Sequence, residues 1–241
     1  MFERIMRLAE RALQARTAEE ASTGFFEAAQ HIGATYLQTR LYRRPMQRLT
    51  SETHWAAGGF IKRISREGWV GSTAFKYICF ECNPLLTAIR ENLTSYRFSD
   101  FAPYGHGAFR AYWDALSEAN IADALCATSY GPKGAITSLH LGFDERDIDP
   151  LMVRAVRMAG LLLTERLLEF AGGLQDDLPE LTARERDCVA FMADGRRDWQ
   201  IADTLGITAQ TVRFHIDNAR RKLGAANRAQ AIARLANRRM L

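Results

Sequence analysis

The side chains best placed for molecular recognition lie within one short segment, residues 208–223. Gln210, Arg213, Phe214 and Asp217 fall on one face of a helical pattern, and Val212, Ile216, Ala219 and Leu223 fall on the other. A helix built this way fits the major groove of duplex DNA, and its first half can reach base edges. Arg220, Arg221 and Lys222 follow at the C-terminal end, where cations meet the negative end of the helix dipole and phosphates come within reach.

The elements that must hold this helix are legible on either side of it. Leu181–Leu235 carries three successive helical patterns, and Gly206 marks a short turn between the second and third, as a helix-turn-helix needs. Thr208 is suited to cap the third helix and Gly224 to end it. Charge follows the same division. From Trp199 to Leu241 there are eight Lys and Arg against two acids, an excess of +6, so the other 198 residues of this +4 chain carry −2. A basic end on a slightly acidic body suits nucleic acid better than a membrane surface. The run Arg184-Glu185-Arg186-Asp187 reads as a solvated first turn with local ion pairs. Trp199 reads as a core anchor and His215 as a packed or capping residue.

The segment resembles the LuxR-type helix-turn-helix of bacterial transcription regulators. The matching residues are Leu181-Thr182, Arg184-Glu185, Gly195, Ile201-Ala202, Leu205, Thr211-Val212, His215, Asn218, Lys222-Leu223 and Asn227-Arg228. The resemblance makes Arg213 the base-reading residue, with Gln210, Phe214 and Asp217 beside it on the reading face. It makes Thr208, Thr211, Arg220, Arg221 and Lys222 the phosphate contacts. Asn227–Leu241 resembles the fourth helix, which pairs two such domains. A homodimer, or a heterodimer with a related subunit, would read a roughly palindromic double-stranded operator with half-sites about 34 Å apart.

At 241 residues the chain is long for one domain, and 47% hydrophobic residues can fill a substantial core. The expected division is a sensor and dimerisation domain over 1–171, a linker over 172–180 around Gly172-Gly173 and Pro179, and the DNA-binding domain over 181–241. The fold class is α/β: an N-terminal α-β-α sandwich followed by an all-α domain. Helices are expected over 2–16, 18–31, Pro84–Glu91, Ala108–Asn120 and Arg154–Phe170. Strands are expected over Thr35–Tyr42, weakly over 50–56, and over Ala122–Tyr130 and Ala135–Phe143. The last two strands would be joined as a hairpin through Gly131–Gly134.

No apolar run approaches the ~20 residues of a membrane span, and no signal peptide is evident, so a cytoplasmic protein without a membrane partner is expected. The four cysteines fit that compartment. Cys79 and Cys82 form a C-x-x-C with no second pair and no nearby His, and read as ordinary thiols rather than a metal site. Motifs for a nucleophile elbow, a phosphate loop or a zinc hydrolase are lacking, so an enzyme is not expected.

The N-terminal layout resembles the acyl-homoserine-lactone-binding domain of the same regulators, where a sheet and its covering helices enclose the signal. The resemblance places Trp69, Phe75, Tyr77, Asn83, Phe98, Trp113 and His140 around a ligand. Asn83-Pro84 stands where the family has Asp-Pro, Phe98 near its second Trp, Ala124 near its small glycine, and His140 near its Ser or Thr. The expected function is a dimeric transcriptional regulator controlled by an acyl-homoserine lactone or a related small-molecule signal, and these departures turn the expectation toward a relative of the ordinary lactone. They leave open an orphan regulator that needs no ligand or answers to a protein partner, with the aromatic residues serving as core.

Overall fold

The computed structural model describes residues 2–45, 48–173 and 180–237. The chain divides into two compact units, the first comprising residues up to 131 together with 135–173, the second 132–134 together with the residues after 173. Most of the expected linker, 174–179, lies outside the described residues, as does the end of the expected dimer helix, 238–241.

The first unit opens with helices α1 (Phe2–Gln14) and α2 (Ala18–Gln30), the latter capped by the Thr17 hydroxyl, which accepts from Glu20 N–H. Strand β1 (Ala34–Arg43) follows, then α3 (Ser51–Ala56) and β2 (Phe60–Ile64). Three short helices, α4 (Thr73–Lys76), a π-helical turn over Tyr77–Glu81 and α5 (Leu86–Arg90), lead to β3 (Ser95–Arg97). Then come α6 (Phe98–Phe101), α7 (Arg110–Ser117), β4 (Asp123–Tyr130), β5 (Ala135–Phe143) and the long α8 (Pro150–Glu169). Asp149 caps α8, accepting from Leu151 and Met152 N–H, and Pro150 occupies the first turn, where its missing N–H costs nothing.

The five strands form one sheet in the order β2-β1-β5-β4-β3, and every pair is antiparallel. Strand alternation divides the core between its two faces. Leu37, Leu125, Ala127, Leu139 and Leu141 pack under α1, α2 and α8, where Leu8, Phe25, Val156 and Leu163 are buried. Tyr36, Tyr96, Ala124 and Cys126 face the shorter helices, with Trp69, Phe75, Phe98 and Trp113. This is the expected α-β-α sandwich.

Local departures from expectation have local causes. Residues 50–56 form a helix rather than a weak strand, because Thr50 and Thr53 make a reciprocal capping box that starts α3. Strands β2 and β3 carry no sequence signal of their own, since they have five and three residues and lack a clean apolar face. The helices expected over Pro84–Glu91 and Ala108–Asn120 shorten to 86–90 and 110–117.

The second unit consists of α9 (Ala183–Ala193), α10 (Asp198–Leu205), α11 (Ala209–Lys222) and α12 (Arg228–Asn237). Cys188, Val189, Ile201, Val212, Ile216, Ala219 and Leu223 form its buried interior. Gly206 ends α10 at φ 66°, the left-handed conformation the turn demands. Two expectations fail here. Glu185 is only 4% exposed: it completes a capping box with Thr182 and accepts from Lys222 Nζ at 2.8 Å, so the first turn of α9 is not simply solvated. Trp199 is 61% exposed, because Ile201 and Ala202 take the inward positions of α10 and turn the indole outward.

Candidate nucleic-acid interface and ligand cavity

Thr208 starts α11 by accepting from Thr211 N–H at 3.1 Å, and the two hydroxyls lie 2.8 Å apart. From that start, the helical period turns Gln210, Arg213, Phe214 and Asp217 to the exposed face, with Phe214 60% exposed. The three cations at the end of α11 separate by role. Arg220 is half-buried and donates to the carbonyls of Ala225 and Ala226, closing the helix. Lys222 Nζ is held by Glu185 and by the Glu180 carbonyl at 3.1 Å. Arg221 points outward, bonded to the neighbouring Asn218.

Arg213 Nε donates to Asp198 Oδ2 at 3.0 Å, and Arg228 donates to both oxygens of the same carboxylate at 2.6 and 3.0 Å. These bonds, with Arg228 the stronger influence, hold Asp198 below the usual carboxylate range. Arg196, Arg197, Trp199 and Ala209 join them around a shallow groove. Arg196, Arg197, Arg228 and the exposed Trp199 lie off α11, so its periodicity does not reveal them. The Arg-Arg pair in the turn before α10 was the available signal.

The second site lies on the sheet face opposite α8. Trp69, Phe75, Asn83, Phe98 and His140 line a cavity there, but Tyr77 and Trp113 do not. Trp113 packs on Tyr104 at 4.4 Å between ring centroids and gives its indole N–H to the Ala102 carbonyl. Tyr77 lies half-buried in the π-helical turn. Trp69 spends its indole N–H on the Ala115 carbonyl at 3.3 Å, which leaves its ring as wall. Asn83 Nδ2 is 3.4 Å from the Cys79 carbonyl. The cavity has a volume of about 70 Å³, whereas ligand pockets commonly span ~300–1,000 Å³. A signal of lactone size therefore enters only if the aromatic walls part.

One rung crosses all five strands at this face: Arg63 on β2, Gln38 on β1, His140 on β5, Cys126 on β4 and Tyr96 on β3. Arg63 Nε donates to Gln38 Oε1 at 2.9 Å, and Tyr96 Oη lies 3.4 Å from His140 Nε2. Burial, with the charges of Arg40 and Arg63, lowers His140 to about 4, so it is neutral at neutral pH. Arg40, two residues from Gln38 on the same strand face, is 2% exposed and also lines the cavity. Alternation along β1 puts Tyr36, Gln38, Arg40 and Tyr42 on this face, and that alternation is the sequence sign of a charged group inside.

Together the features define the architecture of a two-domain regulator: a sandwich with an aromatic, cationic cavity, and a helix-turn-helix unit whose α11 presents an exposed face. Residues 179–235 match the family of bacterial regulatory proteins of the luxR family, so the chain carries a LuxR-family helix-turn-helix domain. The segment is 50% identical over 54 residues to the transcriptional activator VanR of Vibrio anguillarum, covering 22% of each chain. A longer match of 24% identity over 154 residues, 63% of each chain, is to the transcriptional activator BjaR1 of Bradyrhizobium diazoefficiens. The chain spans 22%, 22% and 28% of the length of VanR, LuxR of Aliivibrio fischeri and SgaR of Hyphomicrobium methylovorum. In fold it is similar to Escherichia coli SdiA, with a TM-score of 0.65 at 20% identity over 99% of this chain and 98% of that one. A structure of SdiA in complex with octanoyl-rac-glycerol gives a TM-score of 0.66 at 20% identity, over 98% and 95% of the two chains. No helix among the described residues is long and apolar enough to cross a membrane.

Proposed function

We propose that the protein is a sequence-specific transcriptional regulator that binds duplex DNA as a dimer and answers to a small-molecule signal held on the sheet face of its first unit. The observation that carries the reading is the outer face of α11, where Gln210, Arg213 and Phe214 stand exposed within the family-matched segment. Arg213 reads a base edge, while Gln210, Phe214 and Asp217 border it. Arg221 takes a phosphate, as do Thr208 and Thr211 at the helix start, where N–H groups and the dipole favour an anion. Arg220 and Lys222 act mainly by holding the end of α11, since both are engaged within the unit.

Dimerisation is supported by α8. Leu151, Met158 and Leu162 are 56%, 69% and 44% exposed and lie along one stripe of that helix. The signal acts through unequal affinity for DNA-competent and incompetent arrangements. Selection from a random duplex pool tests the reading. A two-fold symmetric consensus is expected, and enrichment of no sequence at all would remove the function proposed.

A further inference from the structure

The cavity on the sheet face has an unusual electrostatic composition. Arg40 lines it and Arg63 stands against its wall, and among the described residues no Asp or Glu lines it. Among the described residues neither guanidinium has a carboxylate within ion-pair distance. The contrast with Asp123 in the same unit is direct: that buried carboxylate is paired with Arg97 at 2.7 Å. Arg40 is instead held by the carbonyls of His54 and Gly58 and by the rings of Tyr42 and Phe60, 4.2 and 4.5 Å away. Arg63 lies over Phe60, and over Trp55 and Phe75, which line the cavity. Carbonyl dipoles and ring faces soften a buried cation, but they do not neutralise two.

Three buried polar atoms around these cations have no hydrogen-bond partner: Arg63 Nη2, His54 Nδ1 and Tyr42 Oη. All three can donate, although Tyr42 Oη can also accept. Arg63 has no other option. His54 Nε2 lies 2.7 Å from Arg40 Nη1 and must accept from it, so the ring proton sits on Nδ1. Burial and the Arg40 charge lower His54 to about 3, which keeps it neutral. A buried donor without an acceptor is costly, and unpartnered donors on Arg63, against the cavity wall, and on His54, which lines it, are suited to an anionic guest.

Resting on the reading of this cavity as the signal site, we propose that its ligand carries a carboxylate, which Arg63 receives beside Arg40, while the aromatic walls part to take an apolar acyl or aryl tail. A neutral lactone offers only ester and amide oxygens to the same cations. Charge-assisted bonds are the stronger ones, so the acid is preferred.

The test compares N-octanoylhomoserine with N-octanoylhomoserine lactone, which share the acyl chain and differ in the free carboxylate. Decanoate and methyl decanoate form a second pair. Thermal melts and tryptophan fluorescence, reporting on Trp55 and Trp69, are read on the full chain. The acids should raise the midpoint and bind roughly tenfold or more tightly than their neutral partners. Arg63→Gln, at a half-buried position, should fold and erase the difference, whereas Arg40→Lys tests the more deeply buried cation. If the neutral compounds raise the midpoint and the acids do not, the carboxylate assignment is overturned while the signal site stands. If no compound of either pair shifts the midpoint or the fluorescence, both fall. A preference for acids that survives Arg63→Gln overturns the residue assigned.

Discussion

Arg213 is exposed yet tethered. Its guanidinium bonds to Asp198, which Arg228 already holds with two hydrogen bonds, so Arg213 can leave for a base edge without stranding the carboxylate. Arg213→Ala should relax the preference at one base position by ~1–3 kcal/mol, measured as affinities for the selected site and its single-base variants. An unchanged preference would mean that another side chain reads that base. Arg221 and Lys222, adjacent in sequence, should behave differently. Arg221→Ala should reduce the slope of log affinity against log salt by about one. Lys222→Ala should chiefly lower the melting temperature, because it strips Glu185 of its cation. Burial alone would raise the Glu185 pKa, but the bonds from Lys222 and from Thr182 N–H outweigh it, and the net shift is downward. Its stabilisation is thus present above the usual carboxylate range and lost as pH falls through the lowered value. The gap in melting temperature between Lys222→Ala and the parent should therefore close in acid. A gap that persists at low pH would show that the lysine stem, not the ion pair, matters.

At the scale of elements, the legible parts were those whose signal is local. The periodicity of α8 runs over five turns, and β4 and β5 are long apolar runs around a turn sequence. The exposed face of α11 follows from spacing of three and four. The cavity was hidden for the opposite reason. Arg63, Gln38 and His140 are neighbours only through strand register, which the pairing of β1 with β2 and β5 decides. Trp199 misled because a large aromatic residue ordinarily goes inside, and only the packed positions of α10 reveal that it does not. Gly160 is a case where packing explains a residue that pattern alone leaves silent. A Cβ there would meet the Ala127 methyl at 3.0 Å and Leu139 Cδ2 at 3.1 Å, so α8 lies on the sheet at the closest approach its side chains permit. Gly160→Val should lift the helix from β4 and β5 and cost ~1–3 kcal/mol by overpacking, read from denaturant midpoints. A variant as stable as the parent would mean that the helix shifts along the sheet without loss.

At the scale of the whole molecule, the proposed symmetric operator would need two copies, and the binding strength of the pair would depend on what joins them. One copy contributes a single reading helix and few phosphate contacts. Two linked copies gain from the high effective concentration of the second helix once the first is bound. The stripe of Leu151, Met158 and Leu162 on α8 offers apolar area that solvent now covers, and α12 offers a second possible seam. Met158→Glu combined with Leu162→Glu places two like charges on that stripe while leaving the core untouched, so the melting of an isolated subunit should hardly change. Light scattering at micromolar concentration should then give the mass of one chain. Affinity for a duplex with two half-sites should fall to that for a single half-site, and the salt slope should fall with it, because half of the phosphate contacts are gone. If the variant keeps a two-chain mass, α8 is not the seam, and truncation within α12 becomes the informative change. If it becomes monomeric yet still binds the full site with undiminished affinity, the operator itself brings the two copies together.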